Sequence, residues 1–100
     1  MINKTLKSGR KVIIKEMSLD DIDYCKDLLQ VMFSDGKAQT VIGLNHQKTE
    51  WIRKGLGGGD FKEWPNPGVG NAPDNVIRQL KDSEKDELLG FIQEAQTLGE

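Results

Sequence analysis

"TLKSGRKVIIKEMSLDDIDYCKDLL", residues 5–29, passes from basic and β-branched to acidic and helix-like within a few positions. Gly9 offers the positive φ that a tight turn needs, so Thr5-Leu6 and Lys11–Lys15 read as a β-hairpin around "KSGR". On the second strand Val12 and Ile14 share one face and Ile13 takes the other, so one face packs and one meets water. Ser18 reads as a helix N-cap with Asp21 three residues on, a short form of the capping box. Asp20, Asp21 and Asp23 then lie where the helix dipole favours negative charge. Ile22, Cys25, Leu28, Leu29 and Met32 recur at helical spacing with Phe33 close by. This predicts a helix that runs to "SDG", with Gly36 as its C′ residue.

Beyond that helix the periodicity weakens. Ala38, Val41, Ile42, Ile52 and Leu56 fit one helical stripe, interrupted by Gly43 and Asn45. A broken helix that restarts near Asn45 is predicted. Residues 55–73, "GLGGGDFKEWPNPGVGNAP", hold six of the eleven glycines and all three prolines, the composition of a loop. Burying Phe61 and Trp64 does not offset the backbone entropy of ordering so long a stretch, so the loop is expected to be mobile in the free protein unless something else holds it. Two helices close the sequence. Pro73 suits the first turn of one carrying Val76, Ile77 and Leu80. Ser83 with Asp86 caps the next, which carries Leu88, Leu89, Phe91, Ile92, Ala95 and Leu98, and Gly99 leaves it. The fold class expected is α+β, mainly α: one domain over residues 1–100. Its parts are a hairpin (1–17), a helical segment (18–54), a Gly/Pro-rich loop (55–73) and C-terminal helices (74–100), three or four short helices in all.

Of the 100 residues, 36% are hydrophobic and 30% charged, and the net charge is -2. That balance argues against a surface wholly given to nucleic acid, which needs a dense cationic face. The charge is blocked instead. Lys4, Lys7, Arg10, Lys11 and Lys15 face Glu16 alone in residues 1–17, while Asp20, Asp21, Asp23, Asp27 and Asp35 dominate 18–36 against Lys26. From Asp74 onward the chain is acidic again. Such blocks suit docking against a second copy or against a partner of mixed charge. A single cysteine allows no internal disulfide and no thiolate cluster, which fits a reducing cytoplasm. No signal peptide or membrane span is legible, the longest apolar runs being Val12–Ile14 and Val31–Phe33.

Each chemical motif has a plainer reading. His46 is the only histidine, so imidazoles cannot build a metal triad. Cys25 sits on the apolar stripe of the first helix as a small buried hydrophobe. The Asp20–Asp23 run lacks the glycine turn and distant glutamate of a calcium loop. "GLGGGD" lacks the Lys-Ser/Thr that ends a phosphate cradle. Lys7, Arg10 and Lys11 at the hairpin turn could touch phosphates, but no aromatic interleaves them for bases to stack on. No acid–base or nucleophilic constellation emerges, so no catalytic residue, cofactor or metal is assigned and the chain reads as a non-enzyme.

"LKSGRKVIIKEMSLDD" resembles the start of the small tail assembly chaperones of tailed bacteriophages, including the related baseplate hub assembly factors. Leu6, Ser8, Gly9, Arg10, Val12, Lys15 and Met17-Ser18 occupy the places of that family's hairpin, charged residue and acidic helix start. The match covers about a fifth of the chain, and the closing "LKDSEKDELLGFIQEAQTLGE" looks like the family's C-terminal helices. The resemblance implies a protein without catalytic activity. It would hold the apolar helical surface of a tail component, such as the tape measure or a hub subunit, in the host cytoplasm. On that reading Leu88, Phe91 and Ile92 lend a helix face to the partner while Phe61 and Trp64 wrap it from the loop. The alternatives are a structural adaptor retained in the virion or another assembly, and a small nucleic-acid-associated regulator using the basic hairpin.

Overall fold

The computed structural model describes residues 1–28, 30–34, 37–42 and 44–98, with side chains described over 1–28 and 44–96. The fold is α+β, and helices hold more of the described residues than strands do. Its first sheet is antiparallel in the order β1-β2-β5, with β1 at Ile2–Thr5, β2 at Lys11–Ile14 and β5 at Leu56–Gly59. The N-terminal hairpin therefore forms, but its first strand starts earlier than expected and Leu6 falls in the turn. Leu6 N–H donates to the Arg10 carbonyl at 2.8 Å, and Gly9, at φ 94, donates to the Leu6 carbonyl at 2.8 Å. That left-handed backbone is what glycine supplies at no steric cost. Val12 and Ile14 are fully buried and Ile13 is half-buried on the other face, as the alternation requires.

Helix α1 spans Leu19–Lys26, and the Ser18 side chain accepts from Asp21 N–H at 3.1 Å. The cap is the one expected; the length is not. Gln30–Ser34 forms strand β3, paired antiparallel with β4 at Lys37–Ile42 in a separate two-stranded sheet. Residues 30–34 and 37–42 are thus not helical, and Met32 and Phe33 belong to a strand rather than to the α1 stripe. The physical reason lies in composition: Val31 and Phe33, then Thr40, Val41 and Ile42, favour extended backbone, and "SDG" between such runs is a hairpin signal as well as a helix stop. Leu29, Gly36, Gly43 and Gly99 lie outside the described residues.

Helix α2 runs Leu44–Gly55, so the restart near Asn45 is observed. Directly after it, "LGGG" forms β5 instead of loop. β5 pairs with β2 through Val12↔Gly59, Ile13↔Gly58 and Ile14↔Leu56, which leaves Gly57 as a bulge. Gly59 sits at φ +133, where a Cβ would stand 2.3 Å from the Lys11 carbonyl oxygen. The glycine run reflects close approach to the neighbouring strand. Residues 60–73 carry no helix or strand, and the chain's own polar groups grip them. Gln79 pairs twice with Lys62, donating to its carbonyl at 2.8 Å and accepting from its N–H at 2.9 Å. Asn75 donates to the Glu63 carbonyl at 2.9 Å, and Ala72 N–H donates to the Arg53 carbonyl at 2.8 Å. Phe61 and Trp64 meet edge to face at 5.6 Å.

Helix α3, Asp74–Ile77, has Pro73 as its N-cap, one place outside the first turn expected for it. Helix α4 spans Asp82–Leu98 and begins one residue before the expected Ser83 cap. Instead Glu84 reaches back to accept from Lys81 N–H at 3.0 Å, the reciprocal half of a capping box. The buried positions Leu88 and Ile92 of α4 pack with Trp51 and Ile52 of α2, Val12 and Ile14 of β2, and Val76, Ile77 and Leu80 in one core.

Candidate protein-docking site

The two ends of the β1–β2 hairpin meet α4 in opposite ways. At the turn, Arg10 is a hub. Its Nε donates to Glu84 Oε2 at 2.9 Å, one terminal nitrogen to the Asp60 carbonyl at 2.5 Å and the other to the Gln79 carbonyl at 3.2 Å. Its guanidinium also lies over the Phe61 ring, 5.0 Å from the centroid. Ser8 Oγ donates to the same Glu84 oxygen at 2.9 Å, and Lys7 N–H donates to Glu87 Oε1 at 3.0 Å. Glu84 is a charged group with only 5% of its side chain exposed. The Lys81 backbone N–H, then Arg10 and Ser8, hold its carboxyl below the usual range against the opposing effect of burial. The "KSGR" motif is therefore a fastening. It ties the turn to α4 and to the loop, and leaves the Arg10 charge engaged within the chain.

At the other end, β2 leads into α1 past a cleft of about 400 Å³. Ile2 and Ile14, which pair across the hairpin, form one wall with Met17; Leu19 and Ile22 come from α1 and Ala95 from α4. Met1 is 78% exposed, Ile2 39% and Leu19 72%, so the lip is apolar and open. Gln96 braces the base. Its Oε1 accepts from Met17 N–H at 2.9 Å and its Nε2 donates to the Lys15 carbonyl at 3.1 Å, satisfying an amide that is almost wholly buried. Lys15 N–H donates to the Gly55 carbonyl at 2.9 Å, and the Lys15 ammonium is turned away onto the Gly70 carbonyl. Glu16 lies on the rim, with Asp20 beside Leu19 and Asp23 one helical turn on from it. Among the described residues these three carboxylates have no ion-pair partner, whereas Asp21 pairs with Lys54 at 3.4 Å.

The residues expected to bind a partner are split by the structure. Leu88 and Ile92 are fully buried in the chain's own core and offer no surface, because the α4 stripe faces α2 and the sheet. Phe61 and Trp64 are half-buried against that core, with Arg10 over Phe61. Phe91 is half-buried under the Lys4 ammonium at 5.4 Å, on the α4 flank that also carries Ala95 one turn on. None of the five lines the cleft. Met1, Ile2 and Leu19 escaped sequence reasoning: the first two precede the recognised hairpin, and Leu19 falls outside the apolar stripe that was read from Ile22. The spacing Leu19–Ile22 was the available signal.

His46 is exposed and lies 3.6 Å from Glu50. Burial pushes the Cys25 thiol up to about 11, which disfavours the thiolate. Among the described residues no three His, Cys, Asp or Glu side chains gather where they could hold a metal ion. No described helix is long and apolar enough to cross a membrane. No protein-family model matches the chain, and neither a curated protein nor a solved structure matches it.

Proposed function

We propose that this chain is a non-catalytic assembly chaperone that covers an apolar helical surface of a phage tail component, such as the tape measure or a hub subunit, before that component is built in. The open cleft between β1, α1 and α4 carries this reading. Met1, Ile2 and Leu19 are left in water beside a hollow that accepts a few apolar side chains, and apolar groups so grouped mark a contact surface. The size of the hollow fits anchor residues from a partner rather than a whole folded domain. The family likeness of residues 6–21 supplies the class of partner, and the host cytoplasm is where such a partner would be met.

The test is capture during infection by a tagged copy, set against the composition of purified particles. The expected result is a long helical tail protein bound in assembly intermediates, with this chain missing from finished particles. Finding the chain in finished particles would make it a structural adaptor. Recovery of nucleic acid alone, released by salt, would make it a regulator and overturn the proposal.

A further inference from the structure

We infer that the cleft selects a cationic amphipathic helix: one whose apolar residues enter between Leu19, Ile22 and Ala95 and whose flanking positions carry Lys or Arg. This rests on the protein-docking reading above and adds the chemistry of what docks. Two observations carry it.

The first is that the 15–18 wall offers a partner few backbone hydrogen bonds. Lys15 N–H and carbonyl, Met17 N–H and the Ser18 carbonyl are all engaged, by Gly55, Gln96 and Ile22. An extended segment lying along this wall finds only Glu16, the Met17 carbonyl and the Ser18 N–H to pair with, so most of its own backbone groups would lose water without gaining a partner. A helix brings its backbone already satisfied and presents only side chains.

The second is the charge of the rim. Glu16, Asp20 and Asp23 are exposed and unpaired among the described residues. The cations on the same rim are the Met1 amino group and Lys15, whose ammonium donates to the Gly70 carbonyl. Carboxylates are thus in excess and at liberty beside Leu19. Each exposed pair contributes roughly 0.2–1 kcal/mol, so three together change affinity about tenfold.

Two blocked helical peptides serve as probes, identical in their leucine positions, one with lysine and one with glutamate elsewhere. Binding to the full chain is followed by ¹⁵N chemical-shift titration. The Leu/Lys peptide is expected to bind about tenfold more tightly, with shifts centred on Ile2, Met17, Leu19, Ile22 and Ala95. Leu19→Asp should weaken that binding although it adds a negative charge, which general attraction between acidic protein and basic peptide would not do. The combined variant Glu16→Gln, Asp20→Asn and Asp23→Asn should erase the preference while keeping the site. Equal binding of both peptides, or shifts centred elsewhere, would overturn the inference. A tail component captured equally by wild type and by the triple variant, yet lost in Leu19→Asp, would keep the chaperone reading and overturn this one. Leu/Lys selectivity at the cleft without any captured tail component would keep the cleft chemistry and remove the chaperone reading.

Discussion

The turn end and the cleft end of one hairpin are both rich in charge, and they use it differently. At the turn, Arg10, Ser8 and the Lys7 backbone are spent on Glu84, Glu87, Asp60 and Gln79, so the polar groups close on one another. At the cleft, the polar bonds through Gln96 build a floor while the apolar lip and three carboxylates stay open. The lesson is that a basic motif in the sequence says little about function until its partners are known. A cation surrounded by the chain's own carbonyls and carboxylate is architecture; an exposed leucine beside unpaired acids is available for docking.

That contrast can be broken from several sides. The largest effect is expected from Leu88→Asp, which puts a charge into the core beneath both ends; loss of a cooperative unfolding transition in circular dichroism is the expected result. Arg10→Ala removes the partner of the buried Glu84 carboxylate and should cost roughly 2–4 kcal/mol in urea unfolding, a little below a fully buried pair because Arg10 is partly exposed. Gln96→Ala strips two hydrogen bonds from the cleft floor and should cost about 1–3 kcal/mol in the same assay.

The fastening also predicts a pH dependence. The Glu84 pKa is lowered in the folded state, so its stabilising contribution is complete above the unfolded-state value of 4.5 and is lost as pH falls through the folded-state value. The stability difference between wild type and Glu84→Gln should therefore be flat near neutrality and shrink on acidification below about pH 4.5. A difference that grows on acidification would contradict the assigned contacts. Leu19→Asp should have the smallest effect on stability, within about 0.5 kcal/mol, because Leu19 is 72% exposed.

What was legible in the sequence follows the range of the interactions involved. The KSGR turn and the Ser18 cap depend on neighbours within a few residues, and both were readable. The long first helix was over-read because Leu28, Leu29 and Met32 continue a helical period by coincidence, while the β-branched and aromatic residues of β3 and β4 compete for extended backbone. β5 was hidden because glycine has no side-chain pattern to show; its strand character comes from pairing with β2, across a long separation in sequence. Leu88 and Ile92 read equally well as an interface or a core from periodicity alone, and only the position of α2 decides between them. The cleft was the least legible feature, since Ile2, Leu19 and Ala95 come from three separate segments and Gln96 had no pattern to mark it.

The most direct test compares partner capture by wild type, Leu19→Asp and Arg10→Ala from infected cells, alongside their thermal stabilities. The account predicts that Leu19→Asp keeps its melting temperature and loses the partner, while Arg10→Ala melts earlier yet still captures it at temperatures where it is folded. Capture retained by Leu19→Asp, or lost by folded Arg10→Ala, would contradict the division of the molecule into a closed fastening and an open docking cleft.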